Sequence, residues 1–178
     1  AIFVLRVMGV SYALALGITR CEVRGKRPTF KDKPPMRRYG SPPVTGQNYT
    51  LRPGAYAILP RDGKLLVTFQ AQPDPEFQLP GGGIDDGESA IQALHREVWE
   101  ETGWAIGAPR RLGAYRRFVY MPDYDLHAEK LCHVFLARPI LRRSAPKEPD
   151  HTALWLAPEA ALDLIASDGD RDFLNALL

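Results

Sequence analysis

Beyond residue 50 the apolar and polar positions fall into ordered runs. "GAYAILP" (54–60) and "KLLVTFQ" (64–70) are apolar, β-prone segments separated by Arg61-Asp62-Gly63, which predicts a hairpin with a short Asp-Gly turn. "EFQLP" (76–80) predicts a third short strand leading into a loop of glycines. Ser89 and Gln92 have the spacing of a capping box, Ile91, Leu94 and Val98 form an apolar stripe at helical spacing, and Gly103 supplies a stop. A helix over about 90–102 follows. "RRLGAYRRFVYM" (110–121) and "EKLCHVFLARPI" (129–140) read as strands joined by the polar loop "PDYDLHA", and "TALWLAP" (152–158) as another strand. "PEAALDLIAS" (158–167) and "RDFLNALL" (171–178) carry helical periodicity. Strands, helix, strands and helices in one chain predict an α+β or mixed-sheet sandwich.

The first 48 residues are different. Their longest uncharged apolar run, Val7 to Thr19, is shorter than the ~20 residues a membrane span needs. Arg6 before it and Ala13-Leu14-Ala15 within it resemble a leader peptide, but Ala1 to Leu5 is apolar where a leader is charged. The favoured reading is an extra strand or a mis-set start, with Met36 opening the part that carries every motif below. From 20 to 48, basic residues alternate with Pro28, Pro34, Pro35, Pro42 and Pro43, a mixture that reads as an extended arm. Sparse aromatic residues argue against a nucleic-acid-binding tail. The expected division is an extension and arm over 1–48 and one domain over 49–178.

Composition narrows the partners. A chain of 178 residues with 45% hydrophobic content can bury a core without staples, and a net charge of +2 does not itself imply nucleic acid or membrane. Cys21 and Cys132 are far apart, with no spacing suited to zinc or a disulfide framework, so two reduced thiols in a cytoplasmic protein are expected.

The chemistry concentrates in "LPGGGIDDGESAIQALHREVWEETGW" (79–104). Glu100 and Glu101 lie three and four positions after Glu97, so all three share a band of the predicted helix close to its C-terminus. Mutual repulsion and the helix dipole both oppose that placement. With Glu88 nearby in the loop, these oxygen donors suit Mg²⁺, or Mn²⁺ as the alternative, and Arg96 offsets the charge only in part.

Gly82, Glu88, Arg96, Glu97, Val98, Glu100, Glu101, Gly103 and Trp104 match every defined position of the Nudix box, G-x5-E-x7-R-E-U-x-E-E-x-G-U, where U is a bulky apolar residue. The stretch from about 50 to 167 thus resembles the Nudix hydrolases. The resemblance implies a mixed β-sheet sandwiched between α-helices, and hydrolysis of a diphosphate linkage in a nucleoside diphosphate derivative: a nucleoside triphosphate, dinucleoside polyphosphate, ADP-ribose or nucleotide sugar. Glu100 and Glu101 become the expected principal metal ligands, with the Gly81 carbonyl an added donor. Glu97 is a ligand or the base that activates water, Arg96 its orienting partner, and Glu88 a ligand or a brace for the loop. Many relatives take one more acid from outside the box, for which Glu148 is the first choice and Glu129 the second.

Arg52, Arg116 and Tyr124 are the expected substrate contacts, with Arg110, Arg111 and Arg117 as further cations of which only alternate ones can face a cleft. His127, His133 and His151 read as structural. Tyr120 and Pro122 match the pointers of two different substrate subgroups. A small nucleotide is the expected partner, without a membrane, with nucleic acid disfavoured and a homodimer allowed. The competing function is a non-catalytic Nudix-fold module for nucleotide sensing or nucleic-acid binding, which the intact box disfavours. A prenyl diphosphate isomerase is disfavoured because Cys132 sits in an apolar strand.

Overall fold

A computed structural model of the chain describes residues 36–178 apart from Pro73, together with two short strands, β1 (Arg6–Val7) and β2 (Val10–Ser11), that pair antiparallel. The readings of the remaining N-terminal run, and of the arm up to residue 35, lie outside the described residues. Pro35–Leu178 form one compact unit. It begins with β3 (Arg37–Arg38), which pairs in parallel with Tyr115 and Arg116, so the end of the expected arm is an edge strand of the sheet.

The predicted hairpin is β4 (Thr50–Arg61) and β5 (Lys64–Gln70). Arg61 pairs with Lys64, leaving a two-residue turn in which Asp62 (φ 50°) and Gly63 (φ 72°) are both left-handed. That matches the right-handed twist of the strands on either side. Then come β6 (Glu76–Gln78), β7 (Gly81–Gly83), α1 (Ala90–Thr102), β8 (Trp104–Met121), β9 (Leu126–Arg142), β10 (His151–Leu156), α2 (Pro158–Leu164) and α3 (Asp168–Asn175). The sheet runs β10-β5-β4-β9-β8-β3, with β6 added to β5 and β7 to β4. Its β4–β9 and β3–β8 pairs are parallel and the rest antiparallel, so the sheet is mixed.

Both faces of this sheet are covered. On β4 the alternation sends Tyr56 and Ile58 into a core with Ala161, Ile165 and Leu174 of the C-terminal segments. Ala55, Ala57 and Leu59 point the other way, against Ala93, Leu94 and Val98 of α1. Burial on both sides explains why 54–60 is apolar throughout rather than alternating.

Three expectations need correction. Glycines 81–83 form a strand paired with Gly54, Ala55 and Tyr56, where the sequence suggests a loop. A Cβ at Gly81 would meet the Ala55 carbonyl oxygen at 2.2 Å, so the approach requires glycine. β8 starts at Trp104, directly after the helix, because Trp104 pairs with Arg142 at the far end of β9. α3 starts at Asp168 rather than 171, since the Ser167 side chain accepts the Asp170 N–H as an N-cap.

Candidate active site

Helix α1 carries the site. Its start is fixed by the full Ser89/Gln92 capping box, and its end by Gly103 at φ 75°, whose N–H donates to the Trp99 carbonyl. Gly103 also admits a neighbour, because a Cβ there would lie 2.0 Å from the Ser144 carbonyl oxygen. The 143–148 segment docks on carbonyls that the helix end leaves free: Arg143 N–H donates to Gly103 O at 2.8 Å and Lys147 N–H to Glu100 O at 2.7 Å. This docking delivers Glu148 to the acidic face of α1.

Glu97, Glu100 and Glu148 each place a carboxylate oxygen within 4.8 Å of the others. Glu101, Glu148 and His151 form a second such set. Glu101 has a side chain only 4% exposed and accepts the Gly81 N–H at 2.9 Å, which ties the helix to β7. His151 bridges behind it, with Nε2 3.4 Å from Glu101 and Nδ1 2.8 Å from Glu148, though Nδ1 lies off the line of a hydrogen bond. Gly82 closes the other side: a Cβ there would fall 2.6 Å from the Glu97 carboxyl.

Arg96 organises the acids beside it. It donates to Glu88 from Nε at 2.9 Å and Nη2 at 2.7 Å, to Glu97 from Nη1 at 2.7 Å, and to the Gly83 carbonyl at 3.0 Å. Its Nη1 is also 3.4 Å from Glu100 and its Nη2 3.3 Å from Asp85. The hydrogen bonds from Arg96 hold the Glu88 carboxyl down at about 2. Burial pushes the Glu97 carboxyl up and the Glu101 carboxyl well up. Lys147 adds a contact to Glu100 at 3.6 Å while its ammonium sits 3.5 Å from the centre of the Trp99 ring.

These cations do not balance the cluster. Asp85, Glu88, Glu97, Glu100, Glu101 and Glu148 outnumber Arg96 and Lys147, and two of the acids are held against their preference for water. Crowded, desolvated carboxylate oxygens with no thiolate among them suit a hard divalent cation, so the donor set fits magnesium or manganese.

A cavity of about 440 Å³ opens beside Glu97 and is lined by Arg52, Tyr56, Gly83, Asp85, Tyr124 and Lys130 among others. The Arg52 guanidinium stacks 5.1 Å from the Tyr124 ring centre. Gly81, Glu88, Arg96, Glu97, Glu100, Glu101 and Glu148 are therefore together, and Arg52 and Tyr124 share the adjoining cavity. Arg116 is not brought to this place. It pairs with Glu129 at 2.9 Å, while its neighbour Arg117 points to the opposite face, as alternation requires. That pairing also takes up Glu129. His151 joins the site although the sequence carries only one signal for it, a histidine three residues after the expected outside acid.

The NUDIX domain model matches residues 50–177. The chain belongs to the NUDIX family. It is 30% identical over 125 residues to the CTP pyrophosphohydrolase of Escherichia coli (strain K12), a match covering 68% of this chain and 87% of that protein. It is 41% identical over 63 residues to the RNA pyrophosphohydrolase of Cereibacter sphaeroides (strain ATCC 17029 / ATH 2.4.9), covering 30% of this chain and 39% of that one. The chain thus spans well under two thirds of that relative, and only 49% of a similar Bacillus subtilis (strain 168) protein. Among solved structures, the MutT NUDIX hydrolase from Burkholderia pseudomallei superposes with a TM-score of 0.59 at 24% identity, over 72% of this chain and 99% of that one. A NUDIX hydrolase from Nitrosomonas europaea gives 0.60 at 19% identity, over 72% and 88%. These likenesses place the NUDIX fold on the chain, with a mixed sheet between α1 on one face and α2 and α3 on the other. Among the described residues no helix is long and apolar enough to cross a membrane.

Proposed function

We propose that this NUDIX protein is a divalent-metal-dependent hydrolase that cleaves a diphosphate linkage in a nucleotide polyphosphate by attack of water at phosphorus. The observation that carries the reading is the convergence of Glu97, Glu100 and Glu148 on one point beside a cavity whose other wall holds Arg52 and Lys130. The names of the relatives, a CTP and an RNA pyrophosphohydrolase, point to the same reaction class.

Glu97, Glu100, Glu101 and Glu148, with the Gly81 carbonyl and Glu88 as further donors, would hold Mg²⁺ or Mn²⁺, which when bound neutralises the carboxylates against the diphosphate and makes a water more acidic. Glu97 receives the proton as water oxygen bonds to phosphorus and the anhydride P–O bond breaks. In the metal-free chain, burial raises the Glu97 carboxyl above its ordinary value. Arg96 fixes the orientation of Glu97 through the 2.7 Å hydrogen bond and ties it to Glu88. Tyr124, mostly exposed at the mouth of the cavity with Arg52 against its ring, offers a face on which a base can stack.

The test is to incubate the chain with Mg²⁺ and a panel of nucleoside triphosphates, ADP-ribose, dinucleoside polyphosphates and nucleotide sugars, then measure released phosphate, pyrophosphate and nucleotide. Metal-dependent release from at least one is expected. Nucleotide binding without release from any would favour the non-catalytic module instead.

A further inference from the structure

On the face of the sheet opposite α1, three cations stand side by side. Arg52 on β4 pairs in register with Lys130 on β9, and Lys130 pairs with Arg117 on β8. Residues directly opposite across neighbouring strands share a face, so Arg52, Lys130 and Arg117 form one row running ~10 Å across three strands. Like charges in register repel, and among the described residues none of the three forms an ion pair with a carboxylate.

The surroundings supply little neutralisation. Arg52 rests on the Tyr124 ring and the Lys130 ammonium lies 6.0 Å from the Tyr56 ring centre. The Arg117 Nε is buried without a hydrogen-bond partner. Asp170 lies in the core behind, where it accepts the Tyr115 hydroxyl at 2.9 Å, and it forms no ion pair with any of the three. Burial and the Arg117 guanidinium push the Lys130 ammonium down. Asp74 and Glu76 line a second cavity of about 260 Å³ together with Arg117 and Lys130, yet neither reaches the row as an ion pair.

Lys130 is shared by this second cavity and by the one that contains Glu97. The row therefore begins beside the acidic cluster and leads away from it. Uncompensated cations at that position call for an anion several charges long, and a neutral sugar would leave them unpaired.

We propose that Arg52, Lys130 and Arg117 bind the phosphate chain of the substrate beyond the point of attack and so select nucleoside triphosphates over nucleotide sugars. This rests on the hydrolase reading for its substrate but not for its anion site. The row sets affinity. Arg96 and the carboxylates set the chemistry.

The site can be isolated by chelating divalent metal with EDTA and titrating inorganic tripolyphosphate calorimetrically. Wild-type protein is expected to bind it, more weakly as salt rises, because the charge of the exposed Arg52 is screened. Arg52→Gln, Lys130→Met and Arg117→Met should each weaken binding at least tenfold, Lys130→Arg should restore it to within threefold, and Arg138→Gln, on β9 away from the row, should leave it unchanged. Arg52 is exposed, so its variant keeps the test valid if removal of Arg117 unfolds the chain. With Mg²⁺ present, Arg52→Gln and Lys130→Met should raise KM for a nucleoside triphosphate at least tenfold with kcat within threefold, and raise KM for a nucleotide sugar by a smaller factor. No tripolyphosphate binding by the wild type, or equal binding by all variants, would overturn the proposal. Tripolyphosphate binding that follows the row, with no turnover of any nucleotide, would refute the hydrolase reading and leave the anion site standing.

Discussion

Arg96 grips Glu88 at two points, Nε to Oε1 at 2.9 Å and Nη2 to Oε2 at 2.7 Å. The planar fork that makes this possible also reaches Glu97, so the loop and the helix share one guanidinium. A lysine has the charge but not the geometry. Glu88 titrates near 2 against an ordinary 4.5, so its contribution to stability is complete above about pH 4.5 and is lost as pH falls through 2. In Arg96→Lys the Glu88 carboxyl should titrate closer to its ordinary value, as read by NMR of the labelled carboxyl carbon. Turnover should fall about 10- to 100-fold, the range seen when a partner that orients a ligand is lost.

Asp170 carries the opposite shift. It is buried, accepts the Tyr115 hydroxyl, and burial raises its carboxyl from 3.8 to about 6. A raised folded-state value means that the stability advantage is full below about pH 3.8 and is lost as pH rises through 6. Asp170→Asn keeps an acceptor for Tyr115 but cannot ionise. Denaturant unfolding of the two proteins at pH 4 and pH 7 should show the wild type losing roughly 2–4 kcal/mol relative to the variant between these values.

Glu148 owes its place to a docked segment rather than to the helix. Glu148→Gln removes one charge from the set with Glu97 and Glu100 and leaves the 147–148 backbone contacts to Glu100 intact. Mn²⁺ binding, followed by electron paramagnetic resonance, should weaken roughly 10-fold or more with the melting temperature of the metal-free protein unchanged or higher, since repulsion is relieved. His151→Gln tests the bridge behind it and should weaken Mn²⁺ binding less than Glu148→Gln does.

Tyr39 ties the start of the compact unit to its end. Its ring meets Tyr115 edge-on at 5.4 Å, and its hydroxyl donates to Asp172 at 2.6 Å, where Arg37 also pairs. A chain starting at Met36 keeps these contacts, and one starting at Ser41 should be less stable than it by roughly 1–3 kcal/mol in denaturant unfolding.

Local signals made part of this legible in advance. Ser89, Gln92 and Gly103 define the helix without any tertiary contact, and Asp62-Gly63 defines the hairpin turn. The acids at 97, 100 and 101 share a face by helical geometry alone, so the core of the site could be read from spacing. What could not be read depends on pairing between distant segments. Glycines 81–83 look like a loop until β4 lies beside them, and β8 begins at Trp104 only because β9 extends to Arg142. Arg116 and Arg117 are equivalent in sequence, and the sheet register alone sends one to Glu129 and the other to the row with Lys130. His151 gains a role through the same long-range pairing, since β10 lies against β5 and brings its first residue to Glu101.

The most direct test of the hydrolase reading is the Mg²⁺-dependent turnover of CTP and the other nucleoside triphosphates by the wild type and by Glu97→Gln, with circular dichroism and melting temperature confirming that both are folded. Turnover that requires Mg²⁺ and drops at least ~10-fold in the variant is predicted, in line with the loss of a general base. Equal rates in the two proteins, or turnover that persists in EDTA, would contradict the account.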